Sequence, residues 1–303
     1  MPIDTESFNT FSVAKVTGAF GGDAFLVIVG HTTFLVETGY AFSANELLVK
    51  LQAALGGRAL DYILITHSHF DHAGGTPAIK QVYPDAQVVS SEIAAQIFQK
   101  PTAHSTMREL DKKAAMIWGK EQLPDLFASL KTDIAVSDGY ILRTGDVTVR
   151  VIAMPGHTRC CLGYYFEEID LLVTTETSGV YIFGKFYPTY VISYKQSLAA
   201  IEKIEEISPA YILSPHYGVI KGDEAKRYAG NARITAQESA QFILTRHNEG
   251  KSEDEILEDY TDRYYNRDLK DTGIQSEEAF LINSKVMITR VIEECGGKVC
   301  QLR

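Results

Sequence analysis

Residues 66–72 read Thr66-His67-Ser68-His69-Phe70-Asp71-His72 and place three imidazoles and one carboxylate within six residues. The stretch follows the apolar run Ile63-Leu64-Ile65, which predicts a short buried strand. Side chains in a loop after a strand can converge on one point. Imidazole and carboxylate together suit zinc, iron and related divalent ions. The stretch therefore predicts a metal site at the end of a strand.

Two further histidines follow predicted strands in the same way. His157 lies in Pro155-Gly156-His157-Thr158, after a predicted strand at 147–153. His216 lies in Ser214-Pro215-His216-Tyr217-Gly218, after a predicted strand at 210–213. Both are flanked by residues that permit tight turns. A pair of metal ions needs more ligands than one loop supplies, so His157 and His216 are predicted to be the additional ones.

The His-x-His-x-Asp-His pattern, followed in order by these two histidines, resembles the metallo-β-lactamase superfamily over nearly all of residues 11–220. The resemblance implies an αββα sandwich with two metal ions at one edge. It implies that one ion is bound by His67, His69 and His157. The other ion would be bound by Asp71, His72 and His216. Asp71 is also the predicted catalytic residue, because it can orient the attacking hydroxide as well as bind metal.

The chain departs from the superfamily pattern at the carboxylate that normally bridges the two ions. The superfamily usually has Gly-Asp there, whereas this chain has Thr174-Thr175-Glu176-Thr177 after the run 171–173. Glu176 has one more methylene than aspartate. It would bridge both ions, bind only one, or accompany a preference for iron or manganese, because the ligand set contains no thiolate. The predicted cofactor is two divalent metal ions, with zinc first and iron or manganese as alternatives.

The order of the predicted elements indicates a mixed α/β fold, the four-layer αββα sandwich of the superfamily. Strands and helices alternate up to residue 222, with a helical insert over about 91–127, and only helices follow. We therefore predict a catalytic domain at 1–222 and a C-terminal helical subdomain at 223–303. Asp138-Gly139 predicts a hairpin turn between strands at 134–136 and 140–142.

These added helices resemble, in architecture, the quinolone-signal thioesterase-like branch of the superfamily. The likeness includes the long helix after His216, from Lys226 to Arg246, and the acidic helix from Asp254 to Tyr264. It implies an apolar pocket, hydrolysis of an ester or thioester, and a homodimer formed through the C-terminal helices. The two helical segments are expected near the metal edge of the sandwich.

The net charge of −10 disfavours nucleic acid and anionic membranes as partners, because both attract excess Lys and Arg. The expected partner is a small-molecule substrate. Residues 1–6 lack the features of a signal peptide, and no apolar run is long enough for a transmembrane helix. Four cysteines do not make a disulfide framework in a chain of 303 residues. A cytoplasmic location is therefore expected.

The predicted activity is hydrolysis of a small ester, thioester or lactone by a metal-bridging hydroxide. Phosphodiester cleavage is one alternative, although the acidic chain lacks the basic surface of nucleic-acid-processing members. Oxygen-dependent chemistry at a di-iron site is a second, suggested by Glu176. A regulatory protein that binds metal and acts through a partner is a third. The intact ligand set argues against the regulator, since a scaffold has no need of every ligand.

Overall fold

The computed structural model describes residues 3–121, 123–182, 184–270 and 276–296. Cys300, one of the four cysteines, lies outside these residues. The chain divides into two compact units. The first contains Met1–Ala153, Cys160–Thr174 and Tyr211–Ile220; the second contains Met154–Arg159, Thr175–Ala210 and Lys221–Arg303. The division into domains at 1–222 and 223–303 stays a prediction.

The first unit contains a seven-stranded sheet whose strands are neighbours in chain order. They are β1 Thr5–Ser7, β2 Phe11–Lys15, β3 Phe25–Val29, β4 Thr32–Val36, β5 Tyr62–Leu64, β6 Gln87–Ser91 and β7 Ile134–Val136. Strands β1 to β4 pair antiparallel, and β4 to β7 pair parallel. In the β4–β5 pair, Val36 lies opposite Leu64. The residues that follow these two strands therefore meet at one edge of the sheet.

A six-stranded sheet of the same unit has the strand order β15-β14-β11-β10-β9-β8. The remaining strands of the chain are β8 Ile141–Thr144, β9 Val147–Ala153, β10 Leu162–Phe166, β11 Leu171–Val173, β12 Val180–Ile182, β13 Lys185–Tyr187, β14 Tyr211–Ser214 and β15 Gly218–Lys221. Strands β12 and β13 form a separate hairpin in the second unit. Strand β11 pairs parallel with β14 and antiparallel with β10.

The predicted hairpin at Asp138-Gly139 is wrong. Strand β7 pairs with β6 in the seven-stranded sheet, whereas β8 pairs with β9 in the six-stranded sheet. The chain thus passes from one sheet to the other at 137–140, and the actual hairpin turn lies at Gly145-Asp146. Both turns contain a glycine with positive φ, 78° at Gly139 and 54° at Gly145. Local turn signals of this kind do not reveal which strand will be the partner.

The two sheets of the first unit share one apolar core. Alternate residues of each strand point inward, as the two-residue period of a strand requires. Phe34 of β4 meets Phe166 of β10 edge to face, with ring centroids 4.9 Å apart. Both side chains are fully buried. Valine and leucine from both sheets surround this pair, so the core is built almost wholly from the β-branched and aromatic runs of the sequence.

The helices of the first unit cover the other face of the seven-stranded sheet. They are α1 Ala44–Leu55, α2 Phe70–Ala73, α3 Thr76–Val82, α4 Glu92–Ile97 and α5 Pro101–Ile117. Helix α1 buries leucines at four-residue spacing and ends at Gly56, which has a φ of 57°. The insert predicted at 91–127 consists of two helices, α4 and α5. Lys100 is extended between them, because the residue before a proline disfavours helical backbone.

The second unit is mainly helical. Its helices are α6 Tyr194–Ile207, α7 Gly222–Asn248, α8 Glu253–Tyr260 and α9 Glu277–Cys295, with a π-helical segment at Thr261–Asn266. Ser239 of α7 bridges the hydroxyls of Tyr190 and Tyr260, at 2.7 and 2.8 Å. The predicted mixed α/β class with a helical C-terminal region is confirmed. Among the described residues, no helix has both the length and the apolar character needed to cross a bilayer.

Replacing the buried Asp111 of α5 by asparagine is expected to flatten the pH dependence of stability. The Asp111 carboxylate accepts hydrogen bonds from the backbone of Ala41 and Phe42, at 2.9 and 3.3 Å. Burial raises its pKa to about 6, and the two N–H groups only partly offset that rise. Between about pH 4 and 6 the folded chain therefore holds a proton that the unfolded chain releases, so the stability contributed by this group falls as pH rises.

Between pH 4 and pH 7 the parent should lose about 2–3 kcal/mol of unfolding free energy that the asparagine variant keeps. The size follows from a pKa of Asp111 that lies roughly two units above its ordinary value. Urea unfolding of both metal-free proteins at the two pH values measures this difference. A difference in stability that does not change with pH would contradict the assignment.

Candidate metal centre

The loop after β5 brings the ring nitrogens of His67 and His69 together. His67 Nε2 lies 3.0 Å from His69 Nδ1, and the other His67 nitrogen, Nδ1, lies 3.0 Å from the Thr66 hydroxyl. His67 is fully buried. Two imidazole nitrogens that face each other so closely either share a proton or bind one cation. The pair thus has the geometry of two ligands to one ion.

Strand β10 holds this loop in place from the opposite sheet. The backbone N–H of Leu162 donates to the Thr66 carbonyl at 2.9 Å, and the Tyr164 hydroxyl donates to the Ile65 carbonyl at 2.8 Å. Just before the strand, the Cys160 thiol accepts from the Ser68 N–H at 3.4 Å. Residues 160, 162 and 164 share one side of the strand because its period is two. The six-stranded sheet therefore positions the loop that carries His67 and His69.

A second ligand group forms where the short helix α2 meets the turn between β14 and β15. Asp71, His72 and His216 each offer one ligand atom, and these atoms lie within 4.8 Å of one another. His72 Nε2 is 3.4 Å from Asp71 Oδ2. His216 has a φ of 63° in a tight turn, and its side chain is 11% exposed. The Asp71 side chain is 19% exposed, so it combines ligand geometry with access from solvent.

The predicted helical insert lies close to this loop, as its α5 helix packs against α2. Phe70 of α2 contacts Tyr40, with ring centroids 5.6 Å apart, and Tyr40 stacks on Phe42. Ala115 of α5 belongs to the same apolar cluster. The insert therefore forms an apolar wall behind the helix that carries Asp71 and His72.

Glu37 is a buried carboxylate of the site that the sequence analysis missed. It directly follows β4 and has a φ of 61°. Its Oε1 accepts from the Thr66 N–H at 3.0 Å and lies 3.6 Å from His72 Nδ1. Together with His67 and His72 it also forms a compact group of possible ligands. Its role depends on the parallel pairing of β4 with β5, which places the residues after both strands at one edge and which no local sequence pattern reveals.

Asp23 is the second acid that the sequence analysis missed. It precedes β3, and its Oδ2 lies 3.8 Å from His216 Nδ1. Its Oδ1 accepts from the Thr17 hydroxyl at 2.9 Å and pairs with Lys15 at 2.8 Å. Burial alone would raise its pKa, but His216 and Lys15 beside it lower the pKa to about 2. Asp23 is therefore a carboxylate under all ordinary conditions.

In the second unit, His157 and Glu176 form a close pair. His157 follows β9, and its Nδ1 lies 2.9 Å from the Thr189 carbonyl. A carbonyl can only accept, so Nδ1 carries the proton and Nε2 has the lone pair. That Nε2 lies 3.0 Å from Glu176 Oε2. Glu176 is buried and begins a short 3₁₀ turn, Glu176–Ser178, directly after β11. The pair is therefore preformed as two ligand atoms facing each other.

These residues fit a divalent cation by the chemistry of their donors. His67, His72 and His216 each have Nδ1 near a protein oxygen, at 3.0, 3.6 and 3.8 Å. In metal-bound histidines, the nitrogen that does not bind the metal donates to such an oxygen, which fixes the ring. His69 differs, because its Nδ1 is the atom that faces His67 Nε2. The set offers only nitrogen and oxygen, which suits zinc, iron or manganese.

A sandwich of two sheets with a histidine-rich loop at its edge defines a class of metal-binding α/β proteins. Residues 17–216 match the family model described as the Metallo-beta-lactamase superfamily, and the chain belongs to this family. Members of this superfamily include metal-dependent hydrolases, and the predicted family and fold are confirmed.

One similar protein is the Metallo-beta-lactamase fold-containing protein ST1585 of Sulfurisphaera tokodaii. It is 27% identical over 201 residues, which are 61% of this chain and 74% of that protein. The crystal structure of ST1585 has a TM-score of 0.61 and 19% identity, and the match covers 95% of this chain and 100% of that chain. At this level of identity, the structural likeness shows the fold alone.

Two similar proteins have names that state an activity. The Atrochrysone carboxyl ACP thioesterase of Aspergillus fumigatus is 26% identical over 154 residues, 51% of this chain and 28% of that protein. Glyoxylase B2 of Dictyostelium discoideum is 33% identical over 113 residues, 37% of this chain and 34% of that protein. In both cases the match spans only about a third of the relative's own length.

Proposed function

We propose that this protein is a metal-dependent hydrolase that uses two divalent ions to cleave an ester or thioester bond in a small substrate. The observation that carries the proposal is that one loop supplies ligands to two separate groups. His67 and His69 face each other at 3.0 Å, and Asp71 and His72 turn toward His216 only two residues later. Two ions held by neighbouring residues would lie close together, as in two-metal hydrolytic sites.

By the resemblance to the superfamily, the first ion is proposed to take His67, His69, His157 and Glu176 as its ligands. The His67–His69 pair and the His157–Glu176 pair each offer two ligand atoms, whereas a zinc ion takes four ligands. Each pair is therefore incomplete alone, and the superfamily order of ligands joins them. The second ion is proposed to take Asp71, His72 and His216 and to leave a position for water or substrate.

Divalent ions held in these two groups would lower the pKa of bound water and polarise a substrate carbonyl. The remaining roles belong to the chain. The Asp71 side chain is 19% exposed and reaches solvent, so its carboxylate can orient the attacking water and accept a proton. Cys160 and Cys161 are 2% and 1% exposed, which leaves neither thiol open to a substrate. Water is therefore the proposed nucleophile.

Ester or thioester cleavage is supported by the names of the thioesterase and glyoxylase relatives. An assay panel of acyl thioesters, aryl esters and lactones tests it, with an aryl phosphodiester included for comparison. Turnover of a thioester or ester that is lost with chelator and restored by zinc would support the proposal. Turnover of the phosphodiester alone would favour the phosphodiesterase alternative, and no turnover in metal-loaded protein would count against the enzyme.

Glu176→Gln is expected to lower kcat/KM by about a hundredfold or more and to reduce the number of bound ions, because it removes an anionic ligand while keeping the shape. Glu176→Asp keeps the charge and should cost roughly tenfold, through the shorter reach. Metal analysis and kinetics on both variants measure these effects. Glu202→Gln, on the exposed face of α6, is the control. Equal metal content in Glu176→Gln and the parent would rule out Glu176 as a ligand.

Iron chemistry is the second candidate, and Glu176 is the observation that favours it. The ligand set has no thiolate, and a longer carboxylate tolerates a wider spacing between ions. Protein purified without added metal should contain about two equivalents of metal if the site is dinuclear. Iron as the main metal, together with oxygen consumption, would replace the hydrolase proposal.

A homodimer through α7 to α9 stays a prediction, supported by the exposed Ile234 and Ile282.

A further inference from the structure

We propose that Asp23 is the residue that positions His216 for the second metal ion, and that it thereby sets the affinity of that one site. The inference rests on the proposed function, since it concerns the second ion of the proposed pair. It adds a connection from the surface to the metal centre, in which Lys15 contacts Asp23 and Asp23 faces His216.

In the Asp23 carboxylate, one oxygen accepts hydrogen bonds and the other accepts none from the part of the chain that the structure describes. Oδ1 lies 2.9 Å from the Thr17 hydroxyl and 2.8 Å from Lys15 Nζ. The hydroxyl of Thr17 is itself held by the Ala24 N–H at 3.1 Å, which keeps this side of the carboxylate in place. Oδ2 is buried and has no hydrogen-bond partner among the described residues. His216 Nδ1 lies 3.8 Å from Oδ2.

A metal ion bound at His216 Nε2 would leave the ring proton on Nδ1, where it can be donated to Asp23 Oδ2. A neutral imidazole carries its single proton on Nδ1 or on Nε2. When Nε2 binds a cation, the proton is confined to Nδ1, which is the nitrogen that faces Asp23. Metal binding and the hydrogen bond to Asp23 therefore select the same tautomer. Each strengthens the other, as between the ligand histidine and carboxylate of known metal sites.

His216 depends on such support more than its two companions. Asp71 and His72 are neighbours on α2, and His72 has Glu37 behind it at 3.6 Å. His216 comes from the other sheet and lies in a turn with a φ of 63°, a backbone conformation that residues other than glycine rarely adopt. Asp23 is fixed by Lys15 and Thr17 and lies behind this turn. Asp23 therefore restrains His216, the one ligand of the group whose own backbone conformation is strained.

The inference predicts a selective effect. Asp23 faces His216, which belongs to the group of Asp71, His72 and His216, so its removal should weaken that metal site and leave the other unchanged. Loss of a residue that orients a metal ligand typically costs 10- to 100-fold in metal affinity. Asp23→Ala is expected to show a loss of that size. Asp23→Asn should lose less, because its amide oxygen can still accept from Nδ1 but carries no charge.

The experiment is a stepwise zinc titration of metal-free, full-length protein against a chromophoric chelator. The parent, Asp23→Ala, Asp23→Asn and Lys15→Met are compared, with Asp111→Asn as a control that changes another buried aspartate with no contact to a ligand. Thermal unfolding of each metal-free variant shows that the fold is intact. The expected result is two binding steps in the parent, of which only the weaker step shifts in Asp23→Ala. Lys15→Met should shift the same step by less.

Unchanged affinity for both ions in Asp23→Ala would overturn the inference. Equal weakening of both steps would also overturn it, because it would reveal a general structural role. A parent that binds no zinc, iron or manganese would overturn both the inference and the proposed function. A parent that binds two ions and hydrolyses nothing in the panel would remove the hydrolase proposal only, and the shift in the single binding step would still decide the role of Asp23.

Discussion

His69→Ala is expected to release at least one metal ion and to lower kcat/KM by about a thousandfold or more, since a catalytic ion contributes several kcal/mol and each 1.36 kcal/mol is a factor of ten. His69 contributes the nitrogen that faces His67 Nε2 at 3.0 Å. Its loss leaves the proposed first ion with His67, His157 and Glu176, one ligand fewer than the four that zinc takes.

Elemental analysis of the purified variant and steady-state kinetics on the best substrate of the assay panel measure the two effects. His31→Ala is the matched control, because His31 is exposed in the turn between β3 and β4. It should keep its metal and its rate. Full metal content and full activity in His69→Ala would show that the loop is not the metal site.

Gly156→Ala is expected to destabilise the fold by about 2–5 kcal/mol, from combined backbone strain and overpacking. Gly156 precedes His157 and has a φ of 143°, a conformation that alanine rarely adopts. An added Cβ would lie 2.2 Å from Ser197 Oγ and 2.8 Å from the backbone nitrogen of Ser197. The Gly156 carbonyl also accepts from the backbone of Ile192 and Ser193. The loop must shift, and His157 with it, so metal content should fall as well.

Urea unfolding measures this loss of stability. Gly230→Ala is the control: Gly230 lies inside α7, and nothing stands within 4 Å of an added Cβ. That change should stabilise the protein by about 0.5–1 kcal/mol, because alanine favours a helix more than glycine does. Gly156→Ala with unchanged stability and unchanged metal content would contradict the packing described around His157.

The candidate ligands could be identified from the sequence because their chemistry is concentrated in a short stretch. Four candidate ligands within 67–72 cannot be mistaken for an ordinary surface loop, and each of the other three predicted ligands follows a recognisable strand. Helix α1 was equally clear, since its leucines recur at four-residue spacing and Gly56 ends it. Such features are local, and local periodicity and turn chemistry are what sequence patterns report well.

The hairpin prediction failed for the converse reason. Asp138-Gly139 has the composition of a two-residue hairpin, yet the strands on either side belong to different sheets. The choice of partner depends on which strand edges the rest of the fold leaves open. Strand β7 takes the free edge of β6, and β8 pairs with β9 through the next glycine turn. Pairing between strands far apart in the chain is decided by packing.

By itself, the sequence determined which residues could bind metal, their order along the chain and the class of fold, because imidazole, carboxylate and apolar periodicity are properties of individual residues and their neighbours. Only the tertiary structure decided which acids stand behind the histidines. Glu37 and Asp23 look like ordinary acids at the ends of strands, and they meet His72 and His216 through strand pairing. The reason is that the positions of these acids depend on which strands lie side by side, and this pairing sets Glu37 3.6 Å from His72 Nδ1 and Asp23 3.8 Å from His216 Nδ1.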